Sequence, residues 1–354
     1  MSSPHQFVRS PWPHRWAVVL ACATFPLLWV GGLVTTTKAG MAVPDWPNTY
    51  GYNLFLYPWQ TWLAGPWDLF VEHGHRLLAA SVGMITIGLL VVLVRLERRL
   101  WVCGLGFAAL ALVVFQGFLG GMRVLFDERT LAMLHGMTGP LFFASTVTLA
   151  VVTSRRWAAG ANANASDVVR RAENERPNAS RLSGAAGHIR LLATVTAVLV
   201  YLQIVLGAVL RHVPVNSDPA AFLMAVKFHL FLAAVLTLHI GVLVWSVLSR
   251  VRSIRPLGRL ALALGTLISL QLMLGASTWI VKYSIPTWAR SWFSGPSVAI
   301  RDGGWLQTNI ITAHVAIGSL LLGVSVALAL YSHRLLTRPS AAEQFSAARL
   351  EAAV

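Results

Sequence analysis

The sequence predicts an all-α integral membrane protein with eight transmembrane helices, arranged as two four-helix bundles related by a pseudo-twofold axis. Hydrophobic residues make up 56% of the 354 residues and charged residues only 12%, a balance beyond that of a soluble domain. Eight apolar stretches reach the roughly 20 residues that a bilayer core requires. Because these runs are continuous and do not alternate, they exclude a barrel. The predicted spans are 16–36, 75–95, 100–122, 130–153, 189–210, 226–248, 258–281 and 308–331.

The formal charge of +15 is distributed along the ends of the spans. Most of the lysines and arginines fall on one side of the membrane if the N-terminus is inside, so the positive-inside rule places both termini in the cytoplasm. A nucleic-acid partner is disfavoured, because the basic residues do not form one face. The first span is too long for a signal peptide and lacks a cleavage site, so we expect it to be retained. The absence of an organelle transit sequence favours a bacterial plasma membrane.

Two cysteines, Cys22 and Cys103, are present, and both lie inside predicted spans. A disulfide in an outer loop is therefore not expected, and a cysteine-based metal site is disfavoured.

The chain divides at a polar connection. Residues 154–188 are rich in Ala, Ser, Asn and charge, which predicts a flexible cytoplasmic linker. It separates an N-terminal half, 1–153, from a C-terminal half, 189–332, and a cytoplasmic tail follows at 333–354. Each half holds four spans in the same inside-to-outside order, so a pseudo-twofold axis along the membrane normal is expected.

Short motifs recur between the halves. "HRLLAA" from His75 matches "HLFLAA" from His229, and "HGMTG" from His135 matches "HVAIG" from His314. The odd-numbered spans carry "QGFLGG", "QIVLGA" and "QLMLGA", with "LWVGG" from Leu28 as a weaker match. Small-residue pairs of this kind let helices approach closely, so these positions predict packing seams.

Four histidines lie near the outer ends of the even-numbered spans: His75, His135, His229 and His314. They form two equivalent pairs at similar depth, within the first two turns of each span. Paired imidazoles on facing helices of a bundle are a usual way to bind haem iron from both sides. Zinc is disfavoured, because no cysteine or carboxylate cluster completes four ligands.

The two halves differ at one position. Glu72 lies three residues before His75, on the same helix face, whereas Val226 holds that place before His229. A carboxylate at only one site suggests that this half performs acid/base or charge-stabilising catalysis. The other half would then hold a haem for electron transfer or for structure. We expect His73 to be interfacial without a ligand role, and His239 to be a hydrogen-bonded polar residue.

At these residues the chain resembles the haem A synthase family of bacterial and mitochondrial cytochrome oxidase biogenesis. The resemblance rests on "GGLVTTTKAGMAVPDWPNTYG" after span one, "EHGHR" at 72–76, "LHGMTGP", "LGAVLRH" and "TAHVAIG". It implies oxidation of the C8 methyl of haem O to a formyl group, giving haem A. Many members carry a cysteine pair in the first outer loop, which is absent here between Lys38 and Val71.

The resemblance also implies roles for individual residues. Glu72 would be catalytic, His75 and His135 would ligate the iron of substrate haem O, and His229 and His314 would ligate a haem b cofactor. Arg76, Arg123 and Arg211 are candidates for the haem propionates. Haem O synthase would supply the substrate and cytochrome oxidase assembly would receive the product, while the membrane electron acceptor and a homo-oligomeric state stay open.

Two other classes of protein compete with this interpretation. A non-enzymatic dihaem cytochrome b, passing electrons between quinone and an outer-side acceptor, would need no catalytic carboxylate. A transporter with parallel repeats would need broken helices at mid-membrane, and corresponding spans show no paired Gly/Pro interruption.

Overall fold

The computed structural model describes residues 10–162, 179–214, 217–285 and 303–336. This part of the chain is helical apart from its loops, with one isolated bridge between Thr49 and Tyr52. Its α-helices are α1 Trp12–Thr36, α2 Trp59–Leu63, α3 Trp67–Leu96, α4 Leu100–Leu125, α5 Arg129–Thr153, α6 Arg155–Asn162, α7 Ala179–Arg211, α8 Pro219–Arg250, α9 Arg255–Tyr283 and α10 Trp305–Leu336.

Eight of these helices are long and apolar enough to cross a membrane, so the predicted class, a multi-pass α-helical membrane protein, is confirmed. They are α1, α3, α4, α5, α7, α8, α9 and α10. Several extend beyond the predicted spans, and α3 begins at Trp67, eight residues before the predicted start. His75 therefore lies in the third turn of its helix, and so do His229 and His314. The prediction that all four histidines lie within the first two turns holds only for His135.

Local signals set several helix boundaries. The side chain of Glu128 accepts a hydrogen bond from the backbone N–H of Thr130 at the start of α5. Asp218 caps α8 in the same way through Ala220, and Pro219 follows at the first helical position. The predicted linker 154–188 is helical at both ends, in α6 and in the start of α7. Residues 163–178, with the rest of that prediction, lie outside the described residues.

The spans pack as two rings with the same order of neighbours. In the first ring α1 contacts α3, α3 contacts α4, α4 contacts α5 and α5 returns to α1. In the second, α7, α8, α9 and α10 repeat this order. The rings meet where α10 contacts α1 and α5, and where α5 contacts α7. In both rings the two histidine-bearing helices are therefore diagonal partners, which face each other across the bundle.

Candidate functional site

The imidazoles of His75 on α3 and His135 on α5 meet inside the first ring. Their ring centroids are 6.4 Å apart and their planes are inclined at 85°. Two metal–imidazole bonds of about 2 Å, extended by the radius of each ring, predict a centroid separation of about 6 Å. The spacing therefore fits a single metal atom held between the two rings. In the described residues no three His, Cys, Asp or Glu side chains come together, so a porphyrin would have to supply the remaining ligands.

Each of the four histidines packs against a glycine of a neighbouring helix. A methyl group added to any of these glycines would lie 3.0 to 3.4 Å from the Cε1 atom of the imidazole that it faces. We call them the facing glycines; they are Gly31 on α1 for His75, Gly120 on α4 for His135, Gly207 on α7 for His229, and Gly275 on α9 for His314. The small-residue motifs are thus packing seams, as predicted. Their glycines also contact the imidazoles and restrict the position of each ring in the bundle.

Three glutamines connect the histidines to the neighbouring helices. The backbone carbonyl of Gln116 accepts a hydrogen bond from Nδ1 of His135 at 3.1 Å. The side-chain amide of Gln203 donates to the backbone carbonyl of His229 at 3.0 Å and lies 3.2 Å from its ring nitrogens. Gln271 donates to the carbonyl of His314, also at 3.0 Å. A hydrogen bond on the second nitrogen of an imidazole, or beside it, fixes its orientation toward a metal.

Glu72 is buried, with 2% of its surface exposed, and both carboxylate oxygens are bonded. One accepts from the backbone N–H of Val43 at 2.9 Å, and the other pairs with Arg76 at 2.9 Å. Sequence reasoning placed Glu72 beside His75 but did not identify Val43 of the first outer loop as a partner of its carboxyl group. The Glu72 carboxyl group therefore lies fixed by two partners at the outer mouth of the first ring.

Arg76 holds the first outer loop. Its guanidinium donates to the backbone carbonyls of Val43, Asp45 and Asn48 at 2.7 to 2.9 Å. Burial of Asp45 alone would raise its pKa, but hydrogen bonds from the backbone N–H groups of Gly51 and Tyr50 lower the pKa below its usual range. The same loop lays the indole of Trp46 over Gly121, next to the facing glycine of His135. The loop therefore covers the first site.

The other two propionate candidates also bond to the protein. Arg123 donates to the carbonyl of Gly40 at 2.5 Å. Arg211, on α7, crosses to the first ring and donates to the carbonyl of Gly32 at 2.8 Å and to the hydroxyl of Thr36 at 2.5 Å. All three arginines thus have protein partners, and their proposed role toward propionates stays a prediction.

Two further histidines have structural contacts. His73 was expected to be interfacial, but it is buried, with 2% exposed, and its Nδ1 lies 3.0 Å from the hydroxyl of Thr49. The prediction was wrong because the outer loop folds over α3, which the sequence alone does not reveal. Nε2 of His239 donates to the carbonyl of Leu192 at 3.1 Å, which agrees with the expected hydrogen-bonded role.

A cavity of about 280 Å³ opens beside the first site. Seven polar or charged residues line it together with apolar ones; they are Thr35, Lys38, Arg123, Asp127, Glu128, Arg129 and His212. His212 comes from the end of α7, and its Cε1 lies 3.8 Å from where a methyl group on Gly136 would be. Burial lowers the pKa of His212, which favours the neutral imidazole. Both rings therefore contribute to the outer mouth of the first site, which sequence reasoning missed.

Comparison with known proteins agrees with this geometry. The COX15-CtaA family, described as cytochrome oxidase assembly protein, matches residues 66–215. That region contains Glu72, both histidines of the first site and His212. The match covers less than half of the chain and shows similarity to this family over that region. The family match ends before His229 and His314, so the second site rests on the internal repeat and its own geometry.

Several relatives of the chain are named heme A synthase. The chain is 32% identical to the heme A synthase of Shouchella clausii over 138 residues, covering 38% of this chain and 44% of that protein. It is 32% identical to the heme A synthase of Symbiobacterium thermophilum over 193 residues, covering 52% and 54%. It is 32% identical to that of Caulobacter vibrioides over 164 residues, covering 44% and 45%. The matches span about half the length of these relatives.

Proposed function

We propose that this protein is a member of the COX15-CtaA family and a haem A synthase, which oxidises the C8 methyl of haem O to a formyl group. The observation that carries the proposal is the buried His75–His135 pair, whose 6.4 Å separation fits one iron atom. The names of the relatives support the same reaction. They favour it over an electron-carrying dihaem cytochrome b.

The first ring is proposed to bind the substrate. His75 and His135 would ligate the iron of haem O. Their two facing glycines would restrict the position of both imidazoles in the bundle. The first outer loop, tied down by Arg76, would exclude water from the reacting edge of the porphyrin. Converting a methyl to a formyl group removes electrons and protons and adds one oxygen atom.

Glu72 is the proposed catalytic residue. Its carboxyl group lies one turn before His75, where Arg76 and the N–H of Val43 bond to it. A fixed negative charge would stabilise positive charge that develops on the reacting carbon, and a carboxylate oxygen could accept a released proton.

The second ring is proposed to hold haem b between His229 and His314. The donor set fits, since both imidazoles face glycines and both backbone carbonyls are held by glutamine amides. When bound, that haem would supply one-electron redox chemistry. The protein would lie in the bacterial plasma membrane with both termini cytoplasmic. It would receive haem O from haem O synthase and deliver haem A to cytochrome oxidase assembly.

Chromatography of extracted haem tests the proposed function. The chain is expressed in a bacterium that makes haem O but no haem A, and an empty vector serves as the control. Haem A should appear only with the chain. A profile containing haem O and haem B alone, from cells in which the protein is present in the membrane, would contradict the proposal.

A further inference from the structure

His75 is held differently from the other three histidines. Its Nδ1 is buried and has no hydrogen-bond partner among the described residues. Nδ1 of His135 bonds to the carbonyl of Gln116, and a glutamine amide bonds to the backbone carbonyl of His229 and of His314. His314 shares the unpartnered Nδ1, but Gln271 holds its backbone. Only His75 lacks both kinds of support.

The cause lies in one position of the repeat. Gln116, Gln203 and Gln271 each lie four residues before a facing glycine, one helical turn away on the same face. On α1 the residue four positions before Gly31 is Leu27. A leucine side chain has neither a donor nor an acceptor. It therefore cannot donate to the backbone carbonyl of a histidine, as the amides of Gln203 and Gln271 do in the second ring. Gln116 bonds to His135 through its own backbone carbonyl instead.

This difference bears on how firmly each imidazole can hold a metal. A ligating histidine whose surroundings are hydrogen-bonded is better oriented and more basic, and loss of such a partner typically costs about 10- to 100-fold in metal affinity. Within the first site His135 has this support and His75 does not. Within the second site both histidines have a glutamine partner.

We propose that His75 is the exchangeable ligand of the first site. His135 would hold the iron throughout, and the His75 imidazole would release it or take it up when a haem leaves or enters, with no electron transferred. The inference rests on the proposed function, because a substrate haem must arrive and depart whereas a resident haem must stay. Leu27 acts as a positioning residue, since it lacks the side-chain amide that Gln203 and Gln271 supply to the histidines of the second ring.

Haem release from the purified protein tests this proposal without any turnover. The full-length protein in detergent is loaded with iron protoporphyrin IX and mixed with excess apomyoglobin, and the absorbance change follows haem transfer. Two kinetic phases are expected, a fast one from the first site and a slow one from the second. Leu27→Gln should slow the fast phase about 10-fold, since it adds the missing amide.

Two further variants complete the design. Leu28→Gln puts the same amide one residue along α1, on the side that contacts Gly139 of α5, and should leave the fast phase unchanged. Gln271→Leu removes the amide from the second site and should speed the slow phase about 10-fold. This variant keeps the proposal falsifiable should Leu27→Gln fail to fold.

The outcomes separate this proposal from the proposed function. Two loaded sites that release haem at the same rate would contradict the exchange proposal alone. So would a Gln271→Leu variant with an unchanged slow phase, or an effect of Leu28→Gln as large as that of Leu27→Gln. A folded protein that takes up no iron protoporphyrin IX would contradict both.

Discussion

The imidazole of His314 packs against Gly275, so closely that a methyl group on this glycine would lie 3.1 Å from Cε1 of the ring. The same relationship holds for the other three histidines, each with a glycine on a neighbouring span. Most real Cβ contacts are longer than this, and the interior of a bundle is close-packed. A methyl group at Gly31, Gly120 or Gly275 would therefore force the imidazole to shift, whereas at Gly207 it would meet His229 at 3.4 Å, close to ordinary van der Waals contact.

Gly275→Ala should shift His314 by a few tenths of an ångström and weaken the second haem site. We expect about 10-fold weaker retention of the low-spin haem, as for other changes beside a metal ligand. Gly241→Ala is the matched control, because no atom lies within 4 Å of a methyl group built on Gly241. Haem-to-protein ratios of the purified variants measure the effect. Equal ratios for the two variants would show that Gly275 does not position the imidazole.

Glu72→Gln should lower haem A formation by at least about 10²-fold if the carboxylate acts as a general base. Glutamine keeps the shape but loses the negative charge beside Arg76. Glu97→Gln is the control, since it removes a carboxylate that pairs with Arg99 at the opposite end of α3. Haem O, its hydroxylated intermediate and haem A are separated by chromatography. Near-normal haem A together with a lower melting temperature would assign Glu72 a structural role.

Arg211→Gln should loosen the contact between the two rings. The variant loses charge-assisted hydrogen bonds to Gly32 and Thr36, and such bonds contribute about 1.5–3 kcal/mol each. We expect a lower melting temperature for the purified protein. Arg259→Gln removes an exposed arginine of α9 and should leave the melting temperature unchanged. An equal fall of the melting temperature in both variants would mean that the hydrogen bonds between the rings add nothing measurable to stability.

Topology reporters test the proposed orientation. Fusions at residues 163–178 should report a cytoplasmic location, and fusions near Asp45 should report an external one, because the basic residues favour the inner side. A fusion near Gly295, outside the described residues, should also be external. A periplasmic signal from 163–178 would invert the membrane placement of all four histidines.

The sequence predicts the helices well, because the apolar runs are long enough to be unambiguous. It also predicts the pairing of His75 with His135, because the repeat places both on diagonal helices of one bundle. It does not predict the partners of Glu72, Arg76 and His73. Those depend on how the loop between α1 and α3 folds back onto the bundle, and nothing local in its sequence specifies that path. His212 was missed for the same reason, since it joins the first site across the inter-ring contact.

The central claim is that the chain has two unequal sites, one for substrate haem and one for a resident haem. The haem composition and spectrum of protein purified from cells that make haem O test it most directly, in His75→Ala and in His314→Ala. We predict that His314→Ala loses a low-spin haem b signal, because a bis-histidine iron loses an axial ligand. His75→Ala should keep most of that signal and lose the haem O or haem A that wild-type protein carries. Retention of the low-spin haem b in both His229→Ala and His314→Ala, or its loss in His75→Ala alone, would contradict the assignment of the two sites.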